Sequence, residues 1–479
     1  MIQNLFNFPD PFLEKAHTNV VPVLLVTPDT LKSRLAKLDK PARAQVEGSG
    51  FKGKTGECLI LRDSGGQANS VLAGVATPLS PYDMSNVADF IRKNLSEDVL
   101  EEYAFALEEE LSERDLTQSC IGWGWNAYEF DLYKKPKEAP KPHPLLVWPA
   151  GANRREAVST IQSVCLIRTL VNMPSNDLGT EELEEAVKQV ARHFKAKTKT
   201  IADKDLLKQN FPLIYAVGKA SPRRPRLVEM TWGDKNDPAV TIVGKGVVFD
   251  TGGLNLKPPR FMRYMKKDLG GAAHALGLAW MIMSMNVPVR LKVLVSAAEN
   301  SVDGNAMRPG DVVKSRKGLT VEITDTDAEG RLVLADALTY GSEDKPALLI
   351  DFATLTGSAR SALGWDIPAF FSNQDALLED LKTAGTEHND PVWPLPLWKP
   401  YLKEMDSKVA DFDNIGSGPA GAIHGGLFLE QFLENNTPWI HLDCYAWEQN
   451  GKAGRPQGGA DTGMRAVFKL IERRYGSAA

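Results

Sequence analysis

Apolar residues in this chain recur in short blocks that predict alternating strands and helices. The run from Ala239 to Phe249 is apolar and rich in β-branched residues, which is typical of a buried strand. Asp250 follows it directly, and Gly252 and Gly253 then permit a sharp turn. This pattern places Asp250 at the carboxyl end of a strand.

Two further segments combine an apolar block with an adjacent acid. Residues 321–324 predict a short strand and residues 330–340 a helix, and the loop between them carries Asp327 and Glu329. Asp268 stands just before a small-residue apolar helix predicted over residues 269–280. An aspartate in that place is also a plausible helix N-cap, so both interpretations of Asp268 stay open.

The pattern changes near residue 150 and predicts two α/β domains. Residues 20–26 predict a strand among helix-like stretches, and residues 121–133 and 144–149 predict strands around a basic, proline-rich loop. Residues 153–170 then have helical periodicity, which Asn172-Met-Pro ends. We predict one domain over residues 1–150 and another over residues 151–479, the second beginning with a connecting helix.

The acids at these loop positions point to a metal site. Asp250, Asp268, Asp327 and Glu329 stand where strands end and loops begin, which is where α/β folds build their active sites. For any one of them a role in a turn or cap is the simpler explanation. Four carboxylates in one place repel each other unless cations lie between them, so together they predict bound divalent metal ions.

The same segments resemble a known family. Gly-Lys-Gly-Val-x-Phe-Asp-Thr-Gly-Gly-x-x-x-Lys, followed by Thr-Asp-Ala-Glu-Gly-Arg, is the pattern of the leucyl aminopeptidase family of dinuclear metallopeptidases. The resemblance extends through residues 351–360, 410–415, 421–424 and 439–443. It implies a smaller, macrodomain-like N-terminal α/β domain and a larger C-terminal α/β catalytic domain with a mixed sheet flanked by helices.

The resemblance also implies a metal-ligand set. Asp250 and Glu329 would bridge two divalent ions, with manganese or zinc as the expected metals. Lys245 and Asp268 would complete one metal site, and Asp327 the other. Two cations roughly 3.5–4 Å apart can polarise a carbonyl, activate a bridging hydroxide and stabilise an oxyanion. A lysine ligand must be neutral, so the cations would have to depress its pKa.

Two cationic residues and a pocket remain for catalysis and substrate binding. By the resemblance, Lys257 would bind the developing oxyanion. Arg331 would hold a bicarbonate ion that acts as general base. Without the motif, Lys257 is ordinary surface charge and Arg331 a first-turn helix residue. The resemblance also gives a substrate-binding set, in which the backbone of Leu355 faces the peptide and the others receive its first side chain: Met265, Thr354, Leu355 and Gly357.

The chain departs from the family pattern in two places. Asp325 replaces the usual asparagine before Thr-Asp-Ala-Glu, which adds an acid beside the predicted cluster. Residues 459–465 lack the usual Ala-Thr-Gly-Arg-Pro run, so that wall of the specificity pocket cannot be inferred from the family. The preferred N-terminal residue and the metal preference therefore stay open.

Composition excludes several other classes. The chain has 479 residues and a net charge of −5, which argues against a general nucleic-acid or anionic-membrane binder. It shows no basic, apolar leader, no apolar stretch of spanning length and no His-Glu-x-x-His motif. Four scattered cysteines without C-x-x-C spacing favour a reducing cytoplasm.

Three other interpretations compete with the aminopeptidase. Residues 48–55 fit the Walker A phosphate-loop pattern, but a predicted helix precedes them and a predicted strand follows, the reverse of what phosphate binding needs. Another two-metal hydrolase such as a phosphoesterase, or a non-catalytic binding protein on the same scaffold, is also compatible with the fold. We predict a cytoplasmic dinuclear aminopeptidase that acts on peptides or amino-acid amides, and the family resemblance implies a homohexamer.

Overall fold

A computed structural model describes residues 5–6, 8, 10–15, 19–108, 111–134 and 139–476. The chain divides into two compact units, residues 7–165 with 450–457, and residues 1–6 with 166–449 and 458–479. Each unit contains a mixed β-sheet with helices, so the predicted two-domain α/β class is confirmed. The division falls inside a helix, at residues 165 and 166, and the exact domain boundary near residue 150 stays a prediction.

The smaller unit contains six strands and five complete helices among its described residues. In chain order they are β1 (Phe12–Leu13), β2 (Asn19–Val26), α1 (Pro28–Lys37), α2 (Lys40–Ser49), β3 (Cys58–Arg62), β4 (Ala68–Gly74), α3 (Pro81–Asn94), α4 (Glu97–Glu102), β5 (Tyr103–Leu107), α5 (Glu113–Asn126) and β6 (Leu145–Val147). The sheet has the order β1-β6-β5-β2-β4-β3, and only the β3–β4 pair is antiparallel.

The strand predicted over residues 121–133 is wrong, because α5 occupies residues up to Asn126. The alternation Gly122-Trp123-Gly124-Trp125 imitates the two-residue period of a strand. Its glycines serve close packing instead: a Cβ on Gly122 would lie 1.9 Å from the carbonyl oxygen of Pro81, at the start of α3. The strand predicted over residues 144–149 is confirmed as β6, while residues 135–138 of the intervening loop lie outside the described residues.

The larger unit follows with a longer series of elements. In chain order, beginning with the helix that contains the division, they are α6 (Arg154–Asn172), α7 (Thr180–His193), β7 (Lys197–Ala202), α8 (Lys204–Lys208), α9 (Pro212–Gly218), β8 (Arg226–Trp232), β9 (Ala239–Asp250), α10 (Pro259–Met262), α11 (Gly270–Met285), β10 (Arg290–Asn300), β11 (Asp311–Lys314), β12 (Thr320–Ile323), α12 (Glu329–Glu343), β13 (Leu348–Ala353), α13 (Gly357–Leu363), β14 (Ala369–Ser372), α14 (Asp375–Glu387), β15 (Trp393–Pro394), β16 (Phe412–Asp413), α15 (Gly421–Glu430), β17 (Trp439–Asp443), β18 (Trp447–Glu448), β19 (Gly458–Gly459) and α16 (Met464–Tyr475). Short 3₁₀ helices occupy Met265–Leu269 and Lys399–Met405.

The main sheet of the larger unit has the order β15-β14-β17-β13-β9-β10-β8-β7. Its four central strands, β17, β13, β9 and β10, run parallel, whereas β14, β8 and β7 pair antiparallel. Strand β9 is buried along most of its length, as its continuous apolar run predicts. The predicted helices α6, α11 and α12 are confirmed.

Helices α11 and α12 fix the segments that lead into the central strands. Helix α11 is buried along almost its whole length and packs on β9 and β13, which its small residues permit. A Cβ on Gly271 would lie 2.1 Å from the carbonyl oxygen of Phe352 in β13, so only glycine allows this approach.

None of the helices in the described part of the chain has the length and apolar character needed to cross a membrane.

Candidate active site

Predicted functional residues and further polar residues gather at one edge of the larger sheet. Asp250 ends β9, Asn300 ends β10, Thr354 directly follows β13 and Asp443 ends β17. These four strands are parallel neighbours, so their carboxyl ends open on the same side. A cavity of about 570 Å³ lies there.

Three carboxylates form the centre of the cluster. One oxygen each from Asp250, Asp327 and Glu329 lies within 4.8 Å of the others. Helix α12 begins at Glu329, and the preceding loop places Asp327 beside the end of β9. Gly252 and Gly253 adopt φ values of +88° and +65°, which turn the chain sharply after Asp250 as the sequence predicts.

Two lysines lie between the carboxylates. Lys245 Nζ is 2.7 Å from Asp268 Oδ2 and 3.0 Å from Glu329 Oε1, and it donates a hydrogen bond to the carbonyl oxygen of Thr354. A Cβ on Gly330 would lie 2.6 Å from Lys245 Cε, so a glycine here leaves room for the lysine. The structure thus brings Lys245 and Asp268 together with Glu329.

Lys257 occupies the other side of the cluster. Its Nζ lies 2.7 Å from Asp250 Oδ2 and 2.5 Å from Asp327 Oδ1. The Lys257 side chain is 13% exposed, whereas that of Lys245 is 3% exposed. Both lysines are therefore paired with acids, but only Lys257 lies near the accessible part of the cavity.

The N-cap interpretation of Asp268 is wrong. Asp268 lies in the 3₁₀ turn Met265–Leu269, and Leu269 is the residue that precedes α11. Its carboxylate turns instead toward Lys245 and accepts a hydrogen bond of 2.6 Å from the Thr354 hydroxyl. The 3₁₀ turn separates Asp268 from the helix terminus, which the sequence pattern alone did not indicate.

Crowding of acids perturbs their ionisation. Burial raises the pKa of Glu329 to about 8, and the neighbouring Asp250 adds to the shift while Lys245 opposes it. Burial raises the pKa of Asp327 to about 7, again with Asp250 adding to it. Burial also opposes ionisation of Asp268, yet Lys245 and Lys267 hold the pKa of that carboxyl below its ordinary value. Burial and the neighbouring carboxylate thus favour the protonated forms of Asp327 and Glu329.

The donor set fits divalent metal ions. Among the described residues, Glu329 Oε2 is buried and has no hydrogen-bond partner. Buried polar atoms are rarely left without a partner, so an unpartnered carboxylate oxygen beside two more acids indicates a place for a cation. Oxygen ligands with one amine suit manganese, magnesium or zinc.

Arg331 lies in the first turn of α12, close to these acids. Its side chain is buried, its Nη1 donates weakly to the carbonyl oxygen of Ile415 at 3.4 Å, and its Nε has no partner among the described residues. Burial lowers the pKa of Arg331 to about 10, while Asp443 and Glu329 act in the opposite direction. The guanidinium therefore keeps its charge at neutral pH and has a donor available for an anion.

The four predicted substrate-binding residues line the same cavity: Met265, Thr354, Leu355 and Gly357. The backbone N–H groups of Leu355 and Thr356 both donate to Asp443 Oδ1, at 2.9 and 3.1 Å. These two bonds fix the loop after β13, so the carbonyl of Leu355 rather than its N–H is available to a peptide. Whether any of the four contacts substrate stays a prediction.

Several residues with clear roles in the site were missed from the sequence. Asn300 donates from Nδ2 to Asp250 Oδ1 at 2.8 Å and to the carbonyl oxygen of Thr326, which ties the two acidic loops together. Asp443 supports the loop of Leu355. Each is a polar residue at the end of an apolar strand, and that position was the available indication.

The two departures from the family pattern have structural counterparts. Asp325 Oδ1 accepts a hydrogen bond of 2.8 Å from the backbone N–H of Asp327, so its carboxylate stabilises the acidic loop. Among the described residues, the cavity wall beyond Asp443 is formed by Cys444, Tyr445 and Gln449 rather than by residues 459–465.

Comparison with known proteins places this geometry in context. A model described as the cytosol aminopeptidase family, catalytic domain, matches residues 165–468, and one described as the M17 aminopeptidase, N-terminal domain, matches residues 21–146. A probable cytosol aminopeptidase of Syntrophotalea carbinolica is 36% identical over 456 residues, covering 89% of this chain and 90% of that protein. One of Sinorhizobium fredii is 34% identical over 476 residues, covering 95% and 93%.

Solved structures give the same result. The crystal structure of the cytosol aminopeptidase from Coxiella burnetii superposes with a TM-score of 0.91 and 42% sequence identity, covering 98% of this chain and all (100%) of that chain. The bottromycin maturation enzyme BotP in complex with Mn gives a TM-score of 0.84 at 29% identity, covering 96% and 100%. Both similarities extend over both units of the chain.

Proposed function

This chain belongs to the cytosol aminopeptidase family, and we propose that it releases N-terminal residues from peptides and amino-acid amides with the help of two divalent metal ions. Family membership makes it an aminopeptidase, a hydrolase of a metal-dependent family. One observation carries the dinuclear proposal: the oxygens of Asp250, Asp327 and Glu329 lie within 4.8 Å of one another, and Glu329 Oε2 has no partner among the described residues.

The proposed metal-holding residues are those that the family resemblance implies, and the ion pairs support the set. Lys245 pairs with Asp268 and Glu329, and Lys257 pairs with Asp250 and Asp327. Asp250 and Glu329 would face both ions, Lys245 and Asp268 would serve one ion, and Asp327 the other. Two divalent cations held by these residues would supply Lewis-acid chemistry: a ligand position for the substrate's α-amine, polarisation of the scissile carbonyl and a lowered pKa for a water molecule. Manganese is supported as one of the metals by the manganese complex of the related BotP.

Lys257 has the properties of an oxyanion-binding group. Its ammonium lies at the accessible side of the cluster, and the surrounding acids raise its pKa against the effect of burial. A charged donor placed where negative charge develops stabilises the transition state more than the ground state. Lys245 is also enclosed by acids, which raise its pKa against the effect of burial, so its amine could bind a cation only where the charge of that cation displaces the proton.

Arg331 would position the group that accepts a proton from the water. Its unpartnered Nε, buried beside the acids, fits an oxyanion such as bicarbonate. A bicarbonate ion would supply a general base, and Arg331 would hold it through charge-assisted hydrogen bonds. The loop of Leu355, fixed by Asp443, would orient the peptide backbone.

We propose the remaining properties from the family resemblance and the chain's charge. These are a homohexameric state, a cytoplasmic location and peptide substrates without a nucleic-acid or membrane partner. The net charge of −5 disfavours binding to polyanions. Sedimentation analysis of the purified protein measures the oligomeric state directly, and a stable monomer would exclude the hexamer.

The decisive experiment compares a free and a blocked amine. Leucine p-nitroanilide should be cleaved and its N-acetyl derivative should not, because the free α-amine fixes the substrate. Prolonged chelation should abolish the activity, and manganese, zinc or cobalt should restore it at least in part. Full activity in protein that elemental analysis shows to be metal-free would exclude the metal mechanism, and equal cleavage of both anilides would indicate a general amidase.

A phosphodiester control tests the rival two-metal hydrolase. The same metal-loaded protein is assayed with bis(p-nitrophenyl) phosphate, which a two-metal phosphoesterase would hydrolyse. We expect no turnover above that of protein whose metals have been removed.

A further inference from the structure

Lys267 is a buried cation on the wall of the cavity. It lies in the 3₁₀ turn between Met265 and Asp268, is 5% exposed and lines the cavity beside the acidic cluster. Within the described part of the chain its ammonium makes no ion pair and no hydrogen bond. Lys245 and Lys257 each face two carboxylates, so Lys267 differs from both.

The aromatic ring of Tyr445 joins Lys267 to a second cation. Lys267 Nζ lies 4.8 Å from the centre of this ring, and Arg360 Cζ lies 5.1 Å from the same centre. Arg360 also makes no ion pair within the described residues, and it lines the same cavity. The Tyr445 hydroxyl accepts a hydrogen bond of 2.8 Å from Gln449 Nε2, which leaves its own proton to be donated into the cavity.

These three residues, which we call the cationic wall (Lys267, Arg360 and Tyr445), present donors and no acid. Burying an ammonium without a counter-ion is unfavourable unless hydrogen bonds or an opposite charge compensate. The ring of Tyr445 supplies part of that compensation through a cation–π contact. The acid nearest in the chain, Asp268, is already paired with Lys245. A ligand carboxylate would provide the counter-ion that the cationic wall lacks.

We propose that the cationic wall recognises a carboxylate on the substrate's first side chain, so that this aminopeptidase prefers peptides with N-terminal glutamate or aspartate. The inference rests on the proposed function, because Met265, Thr354 and Gly357, the expected pocket for that side chain, line the same cavity. A carboxylate also occurs at the carboxyl end of a short peptide, and the experiment separates the two sources.

The test uses two side chains of equal shape. Glutamyl and glutaminyl p-nitroanilides carry no terminal carboxylate and differ only in side-chain charge. We expect the wild type to favour the glutamyl substrate by roughly 10- to 100-fold in kcat/KM, the range given by hydrogen bonds to a charged group. Lys267→Met should lose most of this preference, so that its ratio of glutamyl to glutaminyl kcat/KM approaches one, and Arg360→Met should lose a smaller part.

Lys266→Met is the matched control. Lys266 occupies the same turn, but its ammonium donates to the carbonyl oxygen of Asn172 and does not line the cavity. It should keep the preference of the wild type. Metal content measured on each variant shows whether a loss of activity comes from disturbed metal binding at the adjacent Asp268.

A binding measurement separates this inference from the proposed function. Titration calorimetry of L-glutamate and L-glutamine needs no turnover, and glutamate should bind more tightly to wild type but not to Lys267→Met. Equal binding of the two, or equal cleavage of the two anilides beside active leucyl hydrolysis, would overturn the inference and leave the aminopeptidase intact. A Lys267-dependent preference for Leu-Leu over Leu-Leu amide, without a glutamate preference, would assign the wall to the terminal carboxylate and also overturn it.

Discussion

The two sheets of this chain are built alike but end differently. In the smaller unit the central parallel strands β2 and β4 end at Val26 and Gly74. In the larger unit, strands in the equivalent central positions end at Asp250, Asn300 and Asp443. Both sheets offer the open edge at which α/β proteins bind ligands, but the named strands of the smaller sheet end in valine and glycine, and those of the larger sheet end in polar or acidic residues. The architecture provides the place, and the strand-end residues provide the chemistry.

A buried acid from each unit makes the contrast specific. Asp83 in α3 is buried, and its Oδ2 accepts hydrogen bonds from the backbone N–H groups of Ala76 and Ser80 at 3.1 and 3.0 Å. Glu329 is also buried, but its Oε2 has no partner among the described residues. Burial raises the pKa of both acids, so the pKa alone does not distinguish a structural carboxylate from one in a functional site. The unpartnered oxygen does.

The largest expected effect comes from replacing Glu329 and Asp83 by their amides in two separate variants, which tests whether only Glu329 belongs to a functional site. Glu329→Gln should reduce metal content and lower kcat/KM by roughly 10³-fold or more, since it removes a proposed ligand of both metal ions. Asp83→Asn should keep the metal and the activity of each folded molecule and lower the free energy of unfolding by about 1–3 kcal/mol, as a weakened buried hydrogen-bond acceptor does. Elemental analysis, steady-state kinetics and denaturant unfolding measure the three quantities.

If Asp83→Asn lost metal, or if Glu329→Gln kept both metal and activity, the distinction between the two sheets would fail.

Asp336 provides a second control within the larger unit. It is buried, but accepts hydrogen bonds from the backbone N–H groups of Leu213 and Arg316, each at 2.8 Å. Asp336→Asn should therefore behave like Asp83→Asn.

A second experiment distinguishes the roles of the two lysines in the acidic cluster, Lys245 and Lys257. Lys245→Ala should lower metal occupancy and activity together, because it removes a proposed metal ligand. Lys257→Met should keep both metals and lower kcat by roughly 10²–10³ with little change in KM, as expected when one oxyanion-binding group is lost. Near-normal turnover of Lys257→Met would remove it from catalysis, and metal loss on that substitution would assign it to the ligands.

The sequence predicted the elements in which the spacing of apolar residues fits one type of secondary structure. It failed at a helix whose residues alternate with the two-residue period of a strand. Strand β9 and helix α12 follow from continuous or helical apolar spacing, and the acids beside them follow from position. Helix α5 was missed because glycines required for packing alternate with tryptophans, as in a strand. The cationic wall has no local pattern at all, since Lys267, Arg360 and Tyr445 meet only through the folding of distant segments around the strand ends.

A third prediction concerns the stability of the metal-free protein. The pKa of Glu329 is about 8 in the folded chain, against an ordinary value of 4.5, so the folded state binds this proton more tightly than the unfolded state. The stability that Glu329 contributes is therefore full below the ordinary pKa and is lost as the pH rises toward 8. After chelation, the free energy of unfolding of Glu329→Gln should exceed that of the wild type by on the order of 1–3 kcal/mol at about pH 9. The two free energies should be equal at about pH 4. A difference that grows toward low pH instead would contradict the assigned direction.

The smallest expected effect comes from Asp325, whose carboxylate adds negative charge beside the cluster of Asp250, Asp327 and Glu329 without being part of it. An amide in its place can still accept the hydrogen bond from the Asp327 backbone N–H, so Asp325→Asn should keep the fold of the acidic loop. Removing one partly exposed negative charge beside Asp327 should weaken metal binding by about 2- to 5-fold, because such charges contribute at most about 1 kcal/mol. At saturating metal, kcat should stay within about 2-fold of the wild type, whereas Asp325→Ala should lose more because it also removes the acceptor. Metal titrations of the two variants decide whether Asp325 acts through its charge or its hydrogen bond: equal weakening in both would assign the effect to charge alone.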